Sequence, residues 1–315
     1  WNILLPNSQD NWWCHKQYSS DVDMDKRQWT HRHELIKERL LHTAADIVCI
    51  QEADGDTFEA DFGFMEDAGY DHVLHRKFRF RCATFYRRDK FSLENAAHKD
   101  RTLVTSLRSN RCVANDKIST KGLDNILHIV NCHLSGGTAP ERRLRQVHDG
   151  LDQIRKWKAA VERNLASQRK RKRASPKLIA QAEHAFREHE DASIVVCGDF
   201  NSDGNTAVRK LLVEGSVEPD WREPQYPSLR LTSKRKEHPF GAFADAAELA
   251  YGGNVCDGDY AEAHSLSGDT RPATYVVPNL ASLLLLPVSG EEGPPRTQFG
   301  MQIARGLADT LNLSD

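Results

Sequence analysis

The sequence predicts an α/β or α+β layered domain, and three observations lead to it. Short apolar runs rich in Val, Ile, Phe and Cys recur between polar or turn residues, as strands do. Amphipathic stretches at helical spacing lie between several of them, and the alternation of the two argues for sheets covered by helices. Finally, 315 residues with 39% hydrophobic and 28% charged content suffice for a full core in one large domain or two ordinary ones.

The elements follow in order. Residues 1–5 read as an apolar strand interrupted by the polar Asn2, and residues 30–43 as a helix placing Leu35, Ile36, Arg39 and Leu40 at helical spacing. Strands are expected at 46–51, 82–86, 125–132 and 193–198. Residues 141–157 repeat Leu144, Val147, Leu151 and Ile154 as one helical face. Two segments break the rhythm. Residues 155–177 are dense in Lys and Arg, including Arg169-Lys170-Arg171-Lys172-Arg173, and read as a solvated basic helix extension or insert. A nucleic-acid contact or a nuclear localisation signal is the sharper alternative. Residues 220–237, rich in Pro and charge, read as a surface loop. The texture changes from Thr270 onward, and a last amphipathic helix is expected to carry Phe299, Ile303, Leu307 and Leu311 on one face.

Composition removes several classes of function. No stretch approaches the eighteen or more apolar residues that span a bilayer, so no membrane partner is expected. A net charge of −2 gives no global attraction to nucleic acid, so such a partner needs a local patch. The seven cysteines are scattered without a CxxC pair, and those inside apolar runs, such as Cys49 and Cys197, read as buried free thiols of a reducing compartment. Trp1 lies inside an apolar run with no leader before it, so the true N-terminus and any targeting segment are expected upstream. The expected location is intracellular, cytoplasmic or nuclear, with organelle targeting left open.

Four strand ends carry chemistry. Ile194 to Cys197 runs into Gly198-Asp199-Phe200-Asn201, and in an extended chain Asp199 and Asn201 face one side. Such a pair at the end of a strand can serve a ligand site, or it can close the strand in an Asx-turn. A second run delivers Glu52, an acid suited to a hard divalent cation. In a third, alternation puts Asn131 and His133 on one face, where His133 can donate to a phosphate or act as general acid. Asn2, within an apolar strand, must be hydrogen-bonded or metal-bound.

Together these residues resemble the endonuclease/exonuclease/phosphatase superfamily, and within it the deadenylase-like and nocturnin-like branch. The resemblance runs from Trp1-Asn2-Ile3-Leu4 to about Asp245. It includes Trp29-x-x-Arg32, the Gln51-Glu52 strand end, Cys82-Ala83-Thr84-Phe85-Tyr86 with Lys90-Phe91, and Asn131-Cys132-His133-Leu134. Gly198-Asp199-Phe200-Asn201-Ser202 is its most specific motif. Arg81 stands where the branch usually has Gly.

The resemblance implies a four-layer sandwich of two mixed sheets flanked by helices, and hydrolysis of a phosphodiester or phosphomonoester. It assigns Glu52 and Asn2 to Mg²⁺ (or Mn²⁺), His133 to the phosphoryl oxygens, Asp199 to the attacking water and Asn201 to positioning the substrate. Asn131 and Arg143 are expected to contact substrate. RNA trimmed from its 3′ end is the leading substrate. A small phosphorylated nucleotide or cofactor is the alternative, and a non-catalytic binding module on a decayed scaffold the third. The family's later D-Y-I strand and Ser-Asp-His are not found in this sequence. The expectation is therefore a catalytic domain over 1–269 that is incomplete at its C-terminus and inactive in isolation, and an insertion beginning at 270–315. In some relatives such an insert resembles an EF-hand pair, which would bring Ca²⁺ through a segment beyond Asp315. No D-x-D-x-D-G loop is present to mark one.

Overall fold

The computed structural model describes residues 1–4, 21–77, 79–110, 126–171, 175–202, 204–245 and 285–287. Two helices come first, α1 (Met24–Arg27) and α2 (Trp29–Thr43), followed by β1 (Ile47–Asp54), α3 (Phe58–Asp67), β2 (Tyr70–Leu74), β3 (Phe80–Arg87), β4 (Phe91–Lys99), β5 (Thr102–Ser109) and β6 (Ile126–His133). Then come α4 (Pro140–Lys170), α5 (Pro176–Glu190), β7 (Ser193–Asp199), α6 (Ala207–Glu214), the short pair β8 (Ser216–Val217) and β9 (Lys236–Glu237), β10 (Phe243–Asp245) and β11 (Leu285–Pro287). The expected strands at 46–51, 82–86, 125–132 and 193–198 fall on β1, β3, β6 and β7, with Asp46 just before β1 and Asn125 outside the described residues. The expected helix at 299–311 and most of 270–315 also lie outside them.

Two sheets result. One is antiparallel in the order β1-β3-β2, and the first residues join its edge through a parallel bridge between Asn2 and Gln51. The other has six strands in the order β10-β11-β7-β6-β5-β4, antiparallel except for the β6–β7 pair. The expected first strand is thus a single bridge, held by Ile3 N–H donating to Gln51 O at 3.1 Å.

Period-two alternation sorts the side chains into layers. In β6, Leu127 and Ile129 face the other sheet, while Val130 and Cys132 face the helices. In β7, Val195 and Cys197 enter the seam between the sheets, and Ile194 and Val196 meet α4 and α6. Ile36 and Leu40 of α2 join Phe58, Phe62 and Met65 of α3 over the outer face of the first sheet. The order is helix, sheet, sheet, helix, which is a four-layer sandwich. Leu35 does not belong to the buried face of α2: it is 52% exposed, and Arg32 takes the buried position instead. Cys49, Cys82, Cys132 and Cys197 are free thiols in or beside this core, and burial pushes Cys132 up to about 12.

The described residues of the basic stretch, 155–171 and 175–177, form the outer half of α4 and the start of α5, with a largely exposed surface. Among the described residues, no helix is long and apolar enough to cross a membrane.

Candidate active site

The site lies at the end of the seam, where strands of both sheets stop. Because β6 and β7 are parallel and in register, with His133 opposite Asp199, their last residues emerge side by side. This register requires Gly198. Its φ is +129°, and a Cβ there would lie 2.0 Å from Cys132 O, so no other residue fits between the strands. Beyond it the chain does not continue extended. Asn201 has φ +48° and donates its N–H to Asp199 Oδ1 at 2.8 Å. The strand end is therefore an Asx-turn, and its Asp199 lies beside His133 and Glu52.

Glu52 reaches the same point from the first sheet through an irregularity. Regular alternation would send it with Val48 and Ile50 towards the helices. The β1–β3 register shifts between Ile50 and Ala53, and Glu52 takes φ +67°, which is unusual for a residue with a side chain. This bulge turns the carboxylate into the seam, a common use of bulges beside functional sites. Nothing in the local sequence announces it, since no glycine marks the position.

The distances define the cluster. His133 Nε2 lies 3.4 Å from Glu52 Oε1 and 3.9 Å from Asp199 Oδ2. Glu52, His133 and Asp199 each offer one ligand atom, all within 4.8 Å of one another. Two partly buried carboxylates this close repel each other unless a cation or a shared donor separates them. A Mg²⁺ with oxygens at about 2.1 Å places its ligands about 3–4 Å apart, so this donor set fits a hard cation. The carboxylates match its preference for oxygen, which leaves the imidazole able to face a substrate.

Asn2 stands between the acids in a way the sequence did not foretell. Its Nδ2 donates to Glu52 Oε1 at 2.9 Å and to Asp199 Oδ2 at 2.8 Å. Its Oδ1 accepts from Leu4 N–H at 2.9 Å. The expectation of Asn2 as a metal ligand stands beside this: its nitrogen bridges the carboxylates, and its oxygen, which accepts one hydrogen bond, has a second lone pair. Arg32 holds this segment in place. Its Nη2 donates to Ile3 O and, at 2.6 Å, to Leu4 O. The sequence gave Arg32 no role beyond the Trp-x-x-Arg pattern.

Two expected substrate contacts are corrected. Asn131 is fully buried and donates Nδ2 to Ala83 O at 3.0 Å, while its Oδ1 accepts from Gln51 Nε2 at 2.8 Å. It joins the two sheets beneath the site. Arg143 is 1% exposed, and its Nη1 donates to Ser135 O and Gly137 O at 3.2 and 2.7 Å. With Glu223 at 3.8 Å, it ties the loop after β6 to the body of the protein. Neither has surface to offer a ligand. Asn201 is partly exposed: its Nδ2 donates to Leu134 O at 2.9 Å, so it braces the loop that follows His133. Gln146 of α4 is buried beside Arg143. Its Nε2 donates to Ser135 Oγ and Asp100 Oδ2, both at 3.0 Å, and its Oε1 accepts from Ser135 N–H, completing that brace.

Comparisons with known proteins bear on this geometry. The Endonuclease/Exonuclease/phosphatase family matches residues 1–246. The CCR4-Not complex 3'-5'-exoribonuclease subunit Ccr4 of Debaryomyces hansenii is 30% identical over 228 residues, covering 60% of this chain and 24% of that protein. Nocturnin of Xenopus laevis is 26% identical over 235 residues, covering 69% of this chain and 50% of its own. The chain thus spans between about a quarter and a half of the length of these relatives. The crystal structure of ANGEL2, a 2',3'-cyclic phosphatase, superposes with a TM-score of 0.52 at 18% identity. It covers 78% of this chain and 73% of that one, a likeness of fold alone.

Proposed function

The chain belongs to the endonuclease/exonuclease/phosphatase family, and from that premise we propose that it is a Mg²⁺-dependent phosphoesterase acting on the 3′ ends of RNA. The observation that carries the reaction class is the meeting of Glu52 and Asp199, delivered by opposite sheets to one point beside His133. The choice of RNA leans on relatives named 3'-5'-exoribonucleases, which are longer than this chain. We take the catalytic unit as residues 1–269, with 270–315 as the start of an insertion; the family match ends at 246.

In this reading Glu52 and Asp199 hold Mg²⁺, or Mn²⁺ in its place. Bound there, the ion supplies Lewis-acid polarisation of the phosphoryl oxygen and offsets its developing charge. The chain's own residues do the rest. Asp199 orients the attacking water, its carboxylate fixed at Oδ1 by the Asn201 N–H. His133 directs Nε2 at the same point and donates to a phosphoryl oxygen as negative charge accumulates. Asn2 keeps the carboxylates from collapsing onto His133 and positions both.

The test follows the shortening of a 5′-labelled single-stranded RNA by the full chain with added Mg²⁺. Asp199→Asn is expected to lower the rate by at least about a hundredfold, the range for removing a general base, at an unchanged melting temperature. Undiminished turnover in that variant, or turnover that persists in EDTA, overturns the reading. Release of phosphate from small nucleotides without any shortening of RNA assigns the site to the small-molecule substrate instead.

A further inference from the structure

Residues 155–177 hold ten Lys or Arg and one acid, in a chain of net charge −2. The fold places the described part of this charge far from the carboxylate cluster. Helix α4 starts beside the site, where Arg143 and Gln146 bond to Ser135, and runs back along β6. Gly150 lies against Val130, and Trp157 has reached His128, near the start of that strand. Lys158 then donates to Glu190 O, at the end of α5 and just before β7 begins. The outer half of α4 therefore projects past the end of the sheets opposite the site. At 1.5 Å per residue, Lys170 is about 45 Å along the helix from Pro140.

The projection is a braced surface. Leu165 and Ala182 are buried in it, and Arg169 pairs with Glu183 across the hairpin at 2.7 Å. Arg163, Lys170, Arg171 and Lys177 are exposed, and among the described residues none has a carboxylate at ion-pair distance. Lys156, Arg163 and Lys170 recur every seven residues, so they form one stripe along the helix at intervals of about 10 Å. Arg155 and Lys156 share Asp152, and Arg169 has Glu183, but holding the remaining like charges together disfavours the compact state. The partner must be a polyanion. A lipid surface fits poorly, because an interfacial helix needs an apolar face and Leu178 is the one large hydrophobic exposed among the described residues of the hairpin. A regular row of cations without apolar anchors suits a regular row of phosphates.

We infer that the α4–α5 hairpin is a second binding surface, remote from the active site, for the phosphate backbone of single-stranded nucleic acid. The choice of RNA rests on the functional reading above; the binding itself does not. The hairpin would hold the body of a strand whose 3′ end occupies the site. At the duplex rise of about 3.4 Å per nucleotide, 45 Å corresponds to about 13 nucleotides, and an extended single strand needs fewer.

The test measures binding of a labelled 30-nucleotide RNA to the full chain in EDTA, across a range of salt concentrations. The variant Arg163→Gln/Lys170→Gln/Arg171→Gln/Lys177→Gln is expected to bind at least tenfold more weakly at low salt. The slope of log affinity against log salt should fall by about 3, at roughly 0.7 per lost phosphate contact. Arg163→Lys/Arg171→Lys should keep the wild-type slope, since the surface reads charge. Hydrolysis of a dinucleotide should be unaffected in both variants. Equal affinity and slope for wild type and the Gln variant overturn the inference. So does hairpin-dependent binding to phosphatidylserine vesicles in the absence of any RNA binding. Because EDTA stops turnover, the outcome stands apart from the catalytic reading: an inactive chain with hairpin-dependent binding overturns only the latter.

Discussion

Two carboxylates and one imidazole within 4.8 Å set the balance of forces at the site. In the absence of a cation, Glu52 and Asp199 repel, and the Asn2 amide stands between them by hydrogen bonding to both. A site of this kind gives up stability to hold charge ready for a ligand. Removing one charge should therefore stabilise the empty protein. Glu52→Gln is expected to raise the melting temperature in EDTA by a few degrees, as about 1 kcal/mol does for a domain of this size. Added Mg²⁺ should raise the wild-type melting temperature by mass action. It should leave that of Glu52→Gln nearly unmoved. A variant that melts lower than wild type in EDTA, or gains as much from Mg²⁺, would remove Glu52 from the ion's ligands; differential scanning fluorimetry reads both.

Individual elements do more than present side chains. The bulge in β1 turns Glu52 through a conformation that a regular strand forbids, and Gly198 lets β7 approach β6 closely enough for Asp199 and His133 to align. On its other face β6 carries His128, fully buried between Trp157 and His189. Burial, with the neighbouring His189 and Lys158, pulls its pKa down to about 3. The folded state thus keeps this ring neutral while the unfolded chain protonates it at about 6.5. Since the unfolded state binds the extra proton, stability is complete above pH 6.5 and falls as the pH drops towards 3. His98, lowered to about 4, acts in the same direction. Urea unfolding at pH 7 and pH 4.5 should show a marked loss for wild type and a smaller one for His128→Phe, which keeps the ring stacking without the titration. Equal losses would mean that other groups dominate acid sensitivity.

At the scale of the whole molecule, two separately covered sheets meet along a seam, and the site exists only where they meet. Asn131 and Gln51 are the polar link across it, within a seam otherwise filled by residues such as Ile129, Val195 and Cys197. Asn131 also satisfies Ala83 O, and Ile50 O at 3.3 Å. Truncating one side of such a link leaves buried partners unsatisfied, at about 1–3 kcal/mol for each group. Asn131→Ala is expected to lower unfolding free energy by about 3 kcal/mol and to weaken activity through Glu52, which directly follows Gln51. Chemical denaturation checks the first and single-turnover rates the second. A variant of full stability that loses only substrate affinity would restore Asn131 to the substrate contacts expected from the sequence.

By itself the sequence determined the layered class, the main strands and the identity of the acids, because alternating apolar runs and strand-terminal polar residues are local patterns. The Asp199 motif and the Glu52 strand end were legible in this way, as was His133. Tertiary structure decided what each residue could reach. Asn131, Arg143 and Asn201 carry the same polar groups wherever they stand, and only packing shows that the first two are buried and that Asn201 gives its Nδ2 to Leu134 O. Asn2 separates the carboxylates because Leu4 N–H takes its oxygen, a contact set by the bridge to Gln51. Likewise, the basic run was plain in the sequence, but its distance from the site was not. The physical reason is common to all of these. Residue type and spacing fix what a side chain can do, whereas burial and the register of distant strands fix which partner it meets.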